Sequence, residues 1–126
     1  MPTTIRGIPE LISNIQKLAR DYPREAAAAL YQEALKVEKL SRSLTPVETG
    51  ALRASHETEF PKIEGGDVSI RIRVGGPAAG YAVYVHENLE AFHKVGQAKF
   101  LESAINASRE DLIRGVAARL SRTVEG

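Results

Sequence analysis

The chain contains no cysteine and no tryptophan. The absence of cysteine excludes a disulfide framework and thiolate chemistry, and it fits a reducing compartment. Only 6% of the residues are aromatic, so the hydrophobic core has to be built from Leu, Ile, Val and Ala side chains. Hydrophobic residues make up 43% of the chain and charged residues 26%, proportions that are typical of a globular protein rather than a disordered one.

Long apolar runs and a charge excess are also missing. No segment approaches the roughly 18 consecutive apolar residues of a membrane span, and the N-terminus lacks the pattern of a signal peptide. The formal net charge is +1, whereas proteins that bind nucleic acid strongly usually carry a basic excess or stripe. We therefore expect a soluble protein with no membrane partner and no sequence-specific nucleic-acid partner.

The length of 126 residues bounds the architecture. Such a chain can bury roughly two-thirds of its unfolded surface. It contains no internal repeat or low-complexity tract, and the glycine-rich stretch at 75–80 reads as a loop and not as a linker. We expect residues 1–126 to form a single domain.

Helical periodicity dominates the first third of the chain. Apolar residues recur at helical spacing over residues 8–21, which predicts an amphipathic helix. A second helix is predicted over residues 24–43, with Pro23 in its first turn and Pro46 after its end. The pattern leaves open whether Pro23 breaks or only kinks one long helix. The candidate buried residues of the second helix are Ala27, Leu30, Tyr31, Ala34, Leu35 and Val37.

The periodicity becomes that of β-structure after Thr45. Residues 55–62 predict a weak strand with His56, Thr58 and Phe60 on one face, and two glycines at 65–66 predict a hairpin turn. The next strand, at 68–74, alternates strictly between apolar and polar residues. Its predicted inward residues are Val68, Ile70, Ile72 and Val74, with Arg71 and Arg73 facing outward.

A second β-prone run covers residues 81–86, and a loop is predicted at 87–96. Tyr81 and Tyr84 are three residues apart, so a regular strand would place them on opposite faces. Helical spacing returns over 97–124, through Leu101, Ala104, Ile105, Ser108, Leu112, Val116 and Leu120. The predicted fold class is α+β, with a small antiparallel sheet packed against two N-terminal helices and a long C-terminal helix.

No pattern of catalytic or ligand-binding residues emerges. His86 and His93 are seven residues apart, whereas the zincin motif needs two histidines four apart on a helix. Glu87 and Glu90 form an acidic pair without a companion motif. No serine lies in a Gly-x-Ser-x-Gly elbow, and neither glycine cluster matches a phosphate-binding or dinucleotide-binding loop. We therefore predict no catalytic residue, no metal and no cofactor.

Two segments carry a more specific signal, TPVETGALRAS at 45–55 and YAVYVHENLEAFHKVGQAKFLESAI at 81–105. Together they resemble the tail-completion, or neck, proteins of long-tailed double-stranded DNA phages, also known as minor capsid or head–tail joining proteins. In that family a Pro-x-(acid)-Thr-Gly-x-Leu-Arg-x-Ser segment follows long helices, and a Tyr-rich strand later precedes a Lys-Phe-Leu-Glu helix start. The matching residues are Pro46, Glu48, Thr49, Gly50, Leu52, Arg53, Ser55, Tyr81, Tyr84, His86, Glu87, Gly96, Lys99, Phe100, Leu101 and Glu102. Many members have a Glu-Gly-Thr turn where this chain has Glu87-Asn88-Leu89 and a longer loop.

The resemblance implies a virion structural protein that joins head and tail by oligomeric assembly and not by catalysis. Its partners would be further copies of itself, in a ring or beside one, and the connector, stopper and tail terminator of the neck. It would lie in the head–tail neck region of the virion and in the host cytoplasm during assembly. DNA would pass through or near it without being read. The alternatives left open by the residues are a small cytoplasmic enzyme and a nucleic-acid-binding module.

Two segments are the candidate interfaces, the turn at 45–55 and the loop at 87–96, because each combines polar and charged residues with apolar ones. The turn also reads as an ordinary connection from helix to strand. Arg53, Arg71 and Arg73 are either interface residues, since Arg pairs with carboxylates in a bidentate manner, or solvated surface. The candidate interface residues are Pro46, Thr49, Gly50, Leu52, Arg53, Ser55, Tyr84, His86, Glu87, Leu89 and Phe92.

Overall fold

The computed structural model describes residues 3–45, 55–65, 67–74, 80–84, 92–95 and 99–125. Its elements are α1 (Thr3–Asp21), α2 (Pro23–Leu44), β1 (Glu57–Thr58), β2 (Lys62–Glu64), β3 (Asp67–Arg73), β4 (Gly80–Tyr84), β5 (Phe92–Val95) and α3 (Lys99–Glu125). The predicted α+β class, with an antiparallel sheet packed against helices, is confirmed. Helix α1 begins five residues earlier than the apolar pattern predicts.

Pro23 breaks the N-terminal helical region into two helices. Tyr22 lies between them with φ −130° and ψ 64°, outside the helical region, because the ring of a following proline disfavours helical geometry. Pro23 then occupies the first turn of α2, where its missing N–H removes no helical hydrogen bond. The question that the sequence left open is thereby decided in favour of a break.

Helix α2 ends in a side-chain cap supplied by Thr45. The Thr45 N–H donates to the Arg42 carbonyl at 3.1 Å, and its hydroxyl donates to the Ser41 carbonyl at 2.9 Å. These bonds satisfy carbonyls that the end of a helix leaves without partners. Thr45 itself is buried, so the chain leaves α2 at a fixed point.

The sheet has strand order β1-β3-β4-β5, and β2 pairs beside β1 on the same edge of β3. All described pairings are antiparallel. The predicted hairpin turn is confirmed, since Glu64 pairs with Asp67 and Gly65 adopts a φ of +61° that favours glycine. The prediction of an unbroken loop at 87–96 is wrong, because Phe92–Val95 forms β5 on β4.

The edge strand opposite β5 contains a bulge. Thr58 pairs with Ile72, and Lys62 pairs with Ser69. Four residue steps along the edge strand therefore lie opposite three along β3, which leaves one extra residue in the edge strand. The predicted common face of His56, Thr58 and Phe60 agrees with their contacts, because their partners Ser41, Glu38 and Tyr31 all lie on α2. Of the three, His56 is buried and Thr58 half-buried, whereas Phe60 is 80% exposed.

The core lies between the sheet and the three helices. The four predicted inward residues of β3 are all buried, while Arg71 is exposed and Arg73 is half-buried. Helices α2 and α3 make the most extensive contact, and α1 packs on both. The buried hydrophobic residues are Ile15, Ala19, Ala26, Ala27, Ala29, Leu30, Ala34, Val37, Val68, Ile70, Ile72, Val74, Ala104, Ile105, Leu112, Ile113, Val116 and Leu120.

Candidate functional site

The first candidate segment and the connection from β4 to β5, which holds much of the second, leave the described structure at opposite ends of the sheet. Glu57, which follows the first segment, pairs with Arg73 at one end of β3. Tyr84 and Phe92, on either side of the connection from β4 to β5, lie at the other end of the sheet. There Tyr84 pairs with Ser69, and Phe92 pairs with Val83. Strand β5 holds the rest of the second segment and runs back to the first end, where Val95 pairs with Gly80. Ser69 and Arg73 are four residues apart, or about 14 Å at the usual rise of a strand.

Most of the candidate interface residues lie outside the part of the chain that the structure describes. Of the first segment only its two ends are described, buried Thr45 and half-buried Ser55. Of the second, Tyr84 ends β4 and Phe92 begins β5, and only their backbone is described. The candidates outside the described residues are Pro46, Thr49, Gly50, Leu52, Arg53, His86, Glu87 and Leu89.

Both ends of the first segment are fixed to the last turns of α2. A hydrogen bond of 2.7 Å joins the Ser41 Oγ and the His56 Nε2, and both side chains are buried. The Arg42 guanidinium donates to the His56 carbonyl at 3.3 Å. The segment at 46–54 therefore leaves α2 at Thr45 and returns to the same helix end at His56.

The hydrogen bond between Ser41 and His56 also resembles the serine–histidine pair of a nucleophilic catalytic site. Nucleophilic catalysis needs the hydroxyl to reach a substrate and a pocket that stabilises the developing oxyanion. Ser41 is 0% exposed and His56 4%, so a substrate has no access to the hydroxyl. The pair is better explained as a buried polar link whose two partners satisfy each other.

A second polar link holds β1 against α2. The Thr58 hydroxyl donates to the Glu38 Oε1 at 2.7 Å, and the other carboxylate oxygen of Glu38 accepts from Arg42 at 3.0 Å. Glu38, Arg42 and the backbone of His56 thus form one network. It keeps the start of the edge strand in register with the helix end.

The three arginines considered as interface residues have different environments. Arg73 forms ion pairs with Glu57 and with Glu59, the second at 2.8 Å, so it links β3 to its own edge strand. Arg71 is exposed, and no ion pair of Arg71 is found among the described residues. Arg53 lies outside them. Arg73 is consequently a structural residue of the sheet edge.

An exposed apolar surface that the sequence reasoning missed lies at this edge. Phe60 is 80% exposed and Ile63 is 42% exposed, and the Phe60 ring stacks on Tyr31 of α2 with 5.6 Å between ring centroids. We call Tyr31, Phe60 and Ile63 the edge patch. The signal available in the sequence was Pro61, which follows Phe60, because proline cannot donate a ladder hydrogen bond and marks edges and bulges.

The described residues contain no group of three or more His, Asp or Glu side chains placed to hold a metal ion. Within the same ranges, none of the helices is both long and apolar enough to cross a membrane.

The geometry defines a class of protein, a small α+β subunit whose buried polar groups fasten its elements together and whose sheet has an exposed apolar edge. Residues 9–103 match the model of the family described as bacteriophage HK97-gp10, putative tail-component. The chain belongs to this HK97-gp10-like family and is a structural protein of the phage tail. No curated protein and no solved structure matches the chain significantly. The resemblance to phage tail-completion proteins is confirmed at the level of this family.

Proposed function

We propose that this phage tail component belongs to the neck and completes the junction of head and tail through oligomeric assembly. The observation that carries the proposal is that the first candidate segment and the connection from β4 to β5 leave opposite ends of the sheet. A subunit of a closed ring needs two different, complementary patches, because each copy contacts one neighbour on each side. A protein that joins two structures also needs separated contact surfaces.

The segment at 45–55 is the proposed contact with neighbouring neck proteins, through Pro46, Thr49, Gly50, Leu52, Arg53 and Ser55. Its ends are fixed to α2 by the Thr45 cap and by the hydrogen bond between Ser41 and His56. Anchoring both ends lowers the conformational entropy that the segment loses when it binds a partner. The local polar links therefore support an interface role for this segment.

The second proposed contact comprises Tyr84, His86, Glu87, Leu89 and Phe92, at the connection from β4 to β5. The proposed partners are further copies of the chain, the connector or stopper ring, and the tail terminator. We propose a single tail-completion domain that acts without a cofactor and without catalysis. DNA passes through or near the assembled neck without being read, consistent with a formal net charge of +1.

The test is electron microscopy of lysates from a phage carrying Arg53→Glu. We expect the variant protein to fold, and the lysate to contain separate filled heads and complete tails, because the charge reversal opposes the contact made by the 45–55 segment. Lys39→Glu is the matched control, since Lys39 is an exposed cation on α2 outside both candidate segments.

Deletion of the whole gene tests the proposed function without relying on any single interface residue. Full heads beside unattached tails support a role in joining. Normal infectious particles from the deletion would refute the proposed function, and normal particles from Arg53→Glu alone would remove Arg53 from the interface.

A further inference from the structure

A groove lies between the first half of α2 and the last turns of α3. It has a volume of about 380 Å³ and is lined by side chains from both helices. Ala28 and Ala29 provide its apolar part, and Arg24, Glu25, Arg119 and Arg122 provide its charged part. The proposed neck contacts do not use this surface, and of the lining residues only Ala29 belongs to the buried core.

The groove concentrates positive charge. Three arginines and one glutamate give it a formal charge of +2, on a chain whose whole formal charge is +1. Arg24 and Arg122 are exposed, and no ion pair or hydrogen bond of either side chain is found among the described residues. Two guanidinium groups from different helices are thus available at one groove.

The third arginine is held in place by a buried carboxylate. The Arg119 Nε donates to the Glu33 Oε2 at 2.7 Å, and Glu33 is 3% exposed. A guanidinium carries five N–H groups in a rigid fork. With Nε bound to Glu33, the four terminal N–H groups of Arg119 have no other partner among the described residues. Arg119 therefore needs little reorganisation to bind an anionic group.

We propose that this groove binds an acidic, amphipathic helical segment of a partner protein. Carboxylates match the planar forks of Arg24, Arg119 and Arg122, because arginine pairs with them in a bidentate manner. The apolar part at Ala28 and Ala29 would take small apolar side chains of the same segment. An amphipathic helix lying between two others presents this combination of groups.

The composition of the groove favours a protein partner over nucleic acid. Nucleic acid is held mainly by phosphate neutralisation along a basic surface, whereas Glu25 places a negative charge on the wall of this groove. The alanine floor would also contact nothing on a phosphate backbone.

The groove is distant from the first proposed neck contact. Arg24 and Leu44 are twenty residues apart on the same helix, which corresponds to about 30 Å at 1.5 Å per residue. The proposal is therefore independent of the role of the 45–55 segment, and it gives the subunit a further contact at the other end of α2.

The test measures binding of a fluorescein-labelled helical peptide with Glu on one face and Ala and Leu on the other, by fluorescence anisotropy with the full chain. We expect saturable binding that weakens with rising salt. Arg24→Glu and Arg122→Glu should each weaken it about tenfold or more, because repulsion replaces attraction in the same geometry. Arg119 is left unchanged because its pairing with Glu33 stabilises the fold.

Lys39→Glu is the matched control for these variants, as an exposed cation on α2 that does not line the groove. Circular dichroism and thermal melting of each variant check that the fold is retained. Equal affinity of Arg24→Glu, Arg122→Glu and Lys39→Glu would overturn the proposal. Equal binding of a peptide with Gln in place of Glu would also overturn it.

Duplex DNA is the second probe. Displacement of the peptide from the groove by DNA, at lower concentrations than unlabelled peptide requires, would overturn the protein-partner assignment. If the arginine variants lose peptide binding while phages that carry them still join heads to tails, the result supports the groove proposal independently of the proposed function.

Discussion

The position of the Glu33 side chain between α2 and α3 depends on a single glycine. A Cβ atom at position 115 would overlap the carboxylate of Glu33, which pairs with Arg119 at 2.7 Å and with Lys36 at 3.3 Å. Glu33 can lie buried between the helices only because Gly115 leaves room for it. A buried carboxylate that keeps its partners is tolerated, and one that loses them is costly.

Gly115→Ala is therefore expected to destabilise the protein, although alanine favours helix. Displacing the Glu33 carboxylate from its partners costs about 1–3 kcal/mol, and the helix propensity of alanine returns only about 1 kcal/mol. We expect the free energy of unfolding to fall by up to about 2 kcal/mol, measured by urea denaturation followed by circular dichroism.

Two further variants isolate the cause. Gly7→Ala in α1 meets nothing within 4 Å, so it should stabilise the protein by up to about 1 kcal/mol. In a Glu33→Ala background the obstacle is gone, and Gly115→Ala should become neutral or stabilising. If Gly115→Ala were equally destabilising in both backgrounds, the overlap with Glu33 would not be the cause.

At the scale of elements, α3 shows what periodicity predicts well and what it misses. Ala104, Ile105, Leu112, Val116 and Leu120 were predicted as core positions and are buried, while Ser108 is half-buried. The side chain of Leu101 lies outside the described part. Ile113 is buried but was not predicted, because α3 contacts both α1 and α2 and so buries a wider stripe than one row of residues.

Leu112→Ala tests the packing of α3. The Leu112 side chain is 2% exposed, so truncation should leave a cavity and lower the free energy of unfolding by about 2–5 kcal/mol. Leu44→Ala is the control, since Leu44 is 44% exposed and should lose less than about 1 kcal/mol. Equal losses in urea denaturation would exclude Leu112 from the core.

The edge strand differs from α3, because a single extra residue divides it into two shorter strands. The extra residue lies between these two pieces, β1 and β2. The first piece is fastened to α2 through Thr58 and Glu38, and Phe60, between the two pieces, is exposed. Natural sheets use bulges in this way to interrupt an edge that could otherwise pair with a foreign strand.

At the scale of the whole molecule, the edge patch is a contact surface separate from the two proposed neck segments and from the arginine groove. The two proposed neck segments leave opposite ends of the sheet, and the edge patch of Tyr31, Phe60 and Ile63 lies along its side. Exposed apolar patches commonly mark interaction sites. We expect the edge patch to be covered in the assembled virion.

Phe60→Ala should therefore separate folding from assembly. Loss of the stack on Tyr31 should cost about 0.5–1.5 kcal/mol, which leaves the isolated subunit folded. The number of infectious particles should nevertheless fall in complementation of a phage deleted for this gene. Tyr22→Ala removes another exposed aromatic ring, away from the sheet edge, and should leave that number unchanged. Equal infectivity of the two variants would show that the edge patch is not an interface.

The sequence by itself determined the features that depend on local periodicity and turn chemistry. The alternation at 68–74 predicted the inward face of β3, the glycines at 65–66 predicted the hairpin, and helical spacing predicted the three helices. These features are local because strand alternation and helical rise fix which residues share a face. The motifs at 45–55 and 81–105 were also enough to indicate the phage tail family.

Only the tertiary structure decided the features that depend on residues distant in the chain. The bulge comes from the register of the edge strand against β3, and β5 exists because its backbone pairs with β4. The bond between Ser41 and His56 spans 15 residues, and that between Glu33 and Arg119 spans 86. The arginine groove likewise requires the two ends of α2 and α3 to lie side by side. No local pattern encodes such contacts, because they are set by how whole elements pack against one another.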